Sequence, residues 1–106
     1  MRRGDLVTVA VSGDYGKPRP ALVIQDDAFD LHPSLTVLPL TSELHDAPLF
    51  RITLDPGQST GLRKRSQVMV DKTITIPREK LGSRIGSVDK ATLAAISDAL
   101  RVFLGL

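Results

Sequence analysis

The stretch Arg19-Pro20-Ala21-Leu22-Val23-Ile24-Gln25 decides the fold. Five apolar residues in a row, with Val and Ile among them, predict a short strand buried on both faces. A proline near the start of such a strand is tolerated, because its missing N–H falls where the ladder begins. Arg19 then stands where a rigid core strand meets solvent. A cation held on such an edge can be aimed at a ligand; it can equally be a solvated residue ahead of a strand.

On either side of this stretch the chain continues in short β-prone runs. Residues 5–11 predict a first strand, followed by a turn-rich loop at 12–18. Residues 35–41 predict a third strand, in which Pro39 points to an edge or a bulge. Residues 49–54 predict a fourth, and 66–76 a long fifth strand that contains Asp71 and ends at Pro77. Residues 81–86 suggest a turn with a short strand. The end of the chain changes period. Leu93, Ile96, Leu100, Phe103 and Leu104 recur at helical spacing, alanines fill the intervals, and Ser87 or Asp89 can cap the N-terminus. The expected architecture is mainly β with one C-terminal helix: a small SH3-like barrel or curled antiparallel sheet, forming one domain over residues 1–106.

Composition narrows the chemistry. The 106 residues contain no cysteine, which excludes disulfides, a thiolate nucleophile and thiolate metal sites and suits a cytoplasmic setting. His32 and His45 both fall in expected loops with no carboxylate cluster at ligand spacing, so no metal site is expected. Glycine-rich phosphate loops and nucleophile elbows are absent from the sequence. No run is long and apolar enough to span a membrane. The net charge of +2 and pI near 9.3 are compatible with a nucleic-acid partner. Aromatic content is 4%, so such a partner would be held through charge and polar groups and not by stacking. The basic residues concentrate in Arg63-Lys64-Arg65 and near the N-terminus, where Lys17 precedes Arg19.

Several motifs occur in one order: Arg2-Arg3-Gly4-Asp5, then Arg19 to Gln25, then Pro39-Leu40-Thr41-Ser42, then Gly82 to Gly86 leading into the helix. That order resembles the MazF/PemK family of toxin endoribonucleases, over essentially the whole chain. The resemblance implies a symmetric homodimer that cleaves single-stranded RNA without a metal or other cofactor and is neutralised by a cognate antitoxin protein. It places the family's catalytic arginine on Arg19, its threonine–serine pair on Thr41 and Ser42, its strand acid on Asp71 and its first-strand acid on Asp5. Lys17, Gln25, Ser42, Arg63, Lys64, Arg65 and Lys72 are the expected RNA contacts. Met69 and Ile74 stand where some members carry arginines. The related CcdB-type toxins share the architecture and act by binding DNA gyrase, which leaves a non-cleaving binder as the alternative. Taken one at a time, Thr41 also reads as a strand-ending β-former, Ser42 as a turn residue and Asp71 as an exposed strand position.

Overall fold

The computed structural model describes residues 1–10 and 17–106. The loop expected between the first two strands therefore lies mostly outside the described residues. The elements are β1 (Asp5–Ala10), β2 (Pro18–Val23), β3 (Ser34–Thr41), β4 (Arg51–Leu54), β5 (Ser66–Met69), β6 (Ile74–Pro77), β7 (Leu81–Ser87) and α1 (Lys90–Leu104), with 3-10 turns at Asp27–Phe29, Val70–Lys72 and Arg78–Lys80. The strands form one antiparallel sheet of seven in the order β4-β5-β3-β2-β1-β7, with β6 also on β3. The sheet curls without closing into a barrel.

Alternation explains why the sheet is buried on both faces at its centre. Leu6, Leu22 and Leu38 are register partners on neighbouring strands and fall in one apolar cluster with Val68, Val70 and Ile96 of the helix. Their neighbours Val7, Ala21, Val23 and Val37 point the other way, into a second cluster closed by Leu35 and Ile76. The run around Leu22 is thus a strand covered on both sides, as its composition predicts. Fully burying a side chain of this size contributes about 2 kcal/mol.

β3 is the fork of the sheet. Its residues 34–37 pair with β6, and Leu40 and Thr41 pair with β5. Pro39 lies at the changeover between these pairings, inside a central strand and not at an edge. The expectation of a single long strand over 66–76 is corrected at the same place. The chain leaves β5 after Met69, makes the 3-10 turn Val70–Lys72, and rejoins β3 further along as β6. Val70 marks the break: its side chain is fully buried, its N–H donates to Phe50 O at 3.0 Å as a last in-register bond beyond the β4–β5 pairing, and the chain then turns.

Asp89 is the helix N-cap, its Oδ1 accepting from Thr92 N at 2.7 Å, and Gly105 ends the helix in the left-handed conformation. Only Ile96 of α1 is buried; Phe103 meets Phe50 with ring centroids 6.2 Å apart, and Val102, Phe103, Leu104 and Leu106 remain exposed. Among the described residues, no helix is long and apolar enough to cross a membrane.

Candidate functional site

The hairpin β1–β2 sets Arg19 opposite Val9, at the second position of β2. β3 runs antiparallel to β2, so its last residues arrive at the same end of the sheet from which β2 starts. Arg19 and the adjacent pair Thr41 and Ser42, more than twenty positions further along the chain, are thereby brought onto one open cleft of about 610 Å3. Its apolar surfaces come from Pro18, Pro20, Leu40, Leu62 and Ile85, and Thr8 and Ser66 add hydroxyls. Ile85 reaches it because the β1–β7 pairing slips: Leu6 faces Gly86 and the next residue, Val7, faces Arg84, leaving Ile85 as a bulge. Arg63 and Lys64 complete the lining. The cleft therefore joins three cations to hydroxyl groups, and among its described residues there is no carboxylate and no imidazole.

Thr41 is held in a definite way. Its Oγ1 accepts the backbone N–H of Glu43 at 3.1 Å, which leaves the hydroxyl proton for an outside acceptor. The loop that follows is pinned by buried Gln67, register partner of Thr41. Gln67 Nε2 donates to His45 O and Oε1 accepts from His45 N, both at 2.9 Å. Gln67 is a positioning residue that sequence reading passes over, because its amide serves a loop more than twenty residues away.

Asp71 is elsewhere. It sits in the 3-10 turn after β5, not within a strand, and it does not line the cleft. Both carboxylate oxygens are taken by Arg51: Nε donates to Oδ1 at 2.9 Å and Nη2 to Oδ2 at 3.3 Å. This pair is largely covered, with the side chains 10% and 18% exposed. The hydrogen bonds from Arg51 are the main reason the Asp71 carboxyl titrates below the ordinary carboxylate range. A general base working near neutrality needs the opposite displacement. The sequence offered no sign of Arg51 as the partner, since the two residues meet only when β4 pairs with β5.

The other expected contacts divide in the same manner. Gln25 spends its whole amide within the fold: Nε2 donates to Phe29 O and Ser34 O, and Oε1 accepts from Thr36 N. Arg65 is exposed and pairs with Asp55 at 3.0 Å. Lys17 and Lys72 are exposed and lie outside the cleft lining. Asp5 is a brace, accepting from Arg2 N at 2.8 Å and from Arg84 Nε at 3.1 Å. No group of three or more His, Cys, Asp or Glu suited to a metal ion occurs among the described residues.

The chain has known relatives in both sequence and fold. The family described as PemK-like, MazF-like toxin of type II toxin–antitoxin systems matches residues 2–104. A probable endoribonuclease MazF of Mycolicibacterium smegmatis is 49% identical over 107 residues, covering 100% of this chain and 98% of the relative. Among solved structures, an endoribonuclease in complex with its cognate antitoxin, from a mycobacterial species, shares the fold with a TM-score of 0.84 at 24% identity, over 100% of this chain and 96% of the other. A MazE–MazF crystal structure from Deinococcus radiodurans gives 0.81 at 25% identity, over 100% and 97%. With a match over nearly its full length and a relative of close to half its residues in common, the chain belongs to the PemK-like, MazF-like toxin family of type II toxin–antitoxin systems.

Proposed function

We propose that this protein is an endoribonuclease toxin that cuts single-stranded RNA by attack of the RNA's own 2′-OH, and that a cognate antitoxin blocks the cleft. The observation that carries the reading is the convergence of Arg19, Thr41, Arg63 and Lys64 on one cleft. The endoribonuclease names of its relatives favour it over a gyrase-binding toxin.

The reaction asks little covalent work of the protein. The 2′-oxygen loses its proton and bonds to the adjacent phosphorus, and the 5′-oxygen leaves with a proton. The products are a 2′,3′-cyclic phosphate and a 5′-hydroxyl. The nucleophile is in the substrate, so no metal-bound hydroxide is required. What must be supplied is a site for the negative charge that grows on the non-bridging oxygens. Arg19 has the right chemistry: the fork of donors on its guanidinium matches phosphate oxygens. One such placed donor is worth about 3 kcal/mol of barrier. The Thr41 hydroxyl, with its oxygen already tied to Glu43 N, donates to a second phosphate oxygen. Arg63, Lys64 and Ser42 hold the flanking backbone. Asp71 supports the site indirectly, by closing the end of β5 through Arg51, and takes no part in proton transfer.

Two partners follow from the surfaces. The exposed apolar side chains Val102, Phe103, Leu104 and Leu106 at the end of α1 supply contact area for a homodimer. A cationic cleft of this kind also suits an acidic antitoxin segment that folds on binding and competes with RNA.

The test is a digest of a long unstructured RNA by purified protein in EDTA, with the 5′ ends mapped. Cyclic phosphate ends, and survival of DNA of the same sequence, are the expected outcome. Intact RNA at every protein concentration, or cleavage that persists when the 2′-OH is methylated throughout, overturns the reading.

A further inference from the structure

One wall of the cleft is a loop and not a strand. Between β4 and β5, residues 55–65 leave the sheet and return, carrying Arg63 and Lys64 to the cleft. The loop is closed on itself. Gly57 N donates to Leu62 O at 3.2 Å and Gly61 N to Gly57 O at 2.9 Å. Thr60 Oγ1 donates to Asp55 O at 3.0 Å and accepts from Leu62 N at 3.2 Å. Leu62 is buried in the larger apolar cluster, directly before the two cations.

The loop is also laid against β7, closer than side chains permit. Ser87 N donates to Ser59 O at 2.9 Å. Gly86 is buried beneath the loop, and a Cβ there would overlap the Thr60 carbonyl and Ser59 O. Gly61, at φ +72°, faces the Ile85 carbonyl with the same lack of room. Two glycines thus meet the backbone of the opposite segment, one from each side, and Ile85 is itself the bulged residue lining the cleft.

Resting on the function proposed above, we infer that Gly61 and Gly86 are positioning residues: they clamp residues 55–65 onto β7, so that Arg63 and Lys64 form a fixed cationic wall that sets the grip on RNA phosphates and not the rate of cutting. A wall fixed in advance spares the RNA complex the cost of ordering a loop. The cations act on phosphate, so the effect is independent of base sequence and sensitive to salt.

The experiment is a mutant cycle read by fluorescence anisotropy with a single-stranded RNA carrying 2′-O-methyl on every ribose, which binds without being cut. The proteins are the parent, Gly86→Ala, the double variant Arg63→Ala/Lys64→Ala, and the triple variant. The double variant should bind about tenfold more weakly, with the log–log salt slope reduced by about 0.7 for each phosphate no longer neutralised. Gly86→Ala should reproduce much of both changes and, on cleavable RNA, raise KM while kcat holds. In the triple variant Gly86→Ala should add nothing, because the wall it displaces is already gone. Thr60→Val, which cuts the loop's internal hydrogen bonds without pressing on β7, should move in the same direction and serves if Gly86→Ala fails to fold. Effects of Gly86→Ala and of the double variant that multiply, or a double variant that binds like the parent, overturn the clamp. Failure of the parent to cut ordinary RNA sinks the enzymatic reading alone, since the binding cycle uses an uncleavable strand.

Discussion

Two arginines at strand ends have opposite fates in this molecule. Arg19, at the start of β2, is exposed on the lip of a cleft with a hydroxyl from Thr41 and the cations of a neighbouring loop. Arg51, at the start of β4, is 10% exposed and gives two hydrogen bonds to Asp71. The first end of the sheet brings Arg19, Arg63 and Lys64 together with hydroxyls on an open cleft; the second buries an ion pair and lies beside the Phe50–Phe103 contact at the end of the helix. A site for an anionic polymer needs the former and a stable strand terminus needs the latter. The same residue type serves either purpose according to which strand is paired alongside it.

The sharpest break of this contrast is Arg19→Ala. Cleavage of RNA should fall about 100-fold or more, with a much smaller change in thermal stability; a variant that cuts as fast as the parent removes Arg19 from the chemistry. Asp71→Asn tests the other end. It should destabilise the fold by about 2 kcal/mol, the worth of hydrogen bonds to a charged group, read as a shifted urea midpoint, while kcat per folded molecule stays near that of the parent. Loss of cleavage in an Asp71→Asn protein that keeps its stability would make Asp71 a reacting group and erase the distinction between the two ends. Asp89→Ala should lower the urea midpoint by less than Asp71→Asn does, through the lost helix cap alone.

Acid provides the gentlest comparison. Asp71, through Arg51, and Asp89, through Thr92, both titrate below the ordinary carboxylate range when folded. Each carboxylate therefore contributes stability that is fully present above the unfolded value of 3.8 and is lost as pH falls through the depressed folded value. Urea midpoints should hold between neutrality and about pH 5 and then decline. The decline should be shallower in Asp71→Asn, whose amide has no proton to gain. An acid limb as steep as that of the parent would show that the pair contributes nothing.

Much of the scaffold was legible from local chemistry. The apolar run at Ala21–Ile24 required a strand with two covered faces, and the period change after Val88 required a helix, with Asp89 the better of two capping residues. The cleft was legible in part. Arg19, Thr41, Ser42, Arg63 and Lys64 meet there, whereas Gln25, Arg65 and Asp71 are engaged within the fold. Nothing near Gln25 in the chain announces that Phe29, Ser34 and Thr36 will consume its amide.

The order of residues by itself determined the strands around Leu6, Leu22, Leu38 and Ile52 and where the helix would begin, and it excluded cysteine chemistry. Those properties follow from side-chain period, capping groups and composition, which are local. Tertiary structure alone decided that residues 66–76 would divide between two ladder positions on β3, and that Asp71 would face Arg51 and not the cleft. The division goes with the fork of β3 and the burial of Val70 in the core, and both depend on packing between segments far apart in the chain.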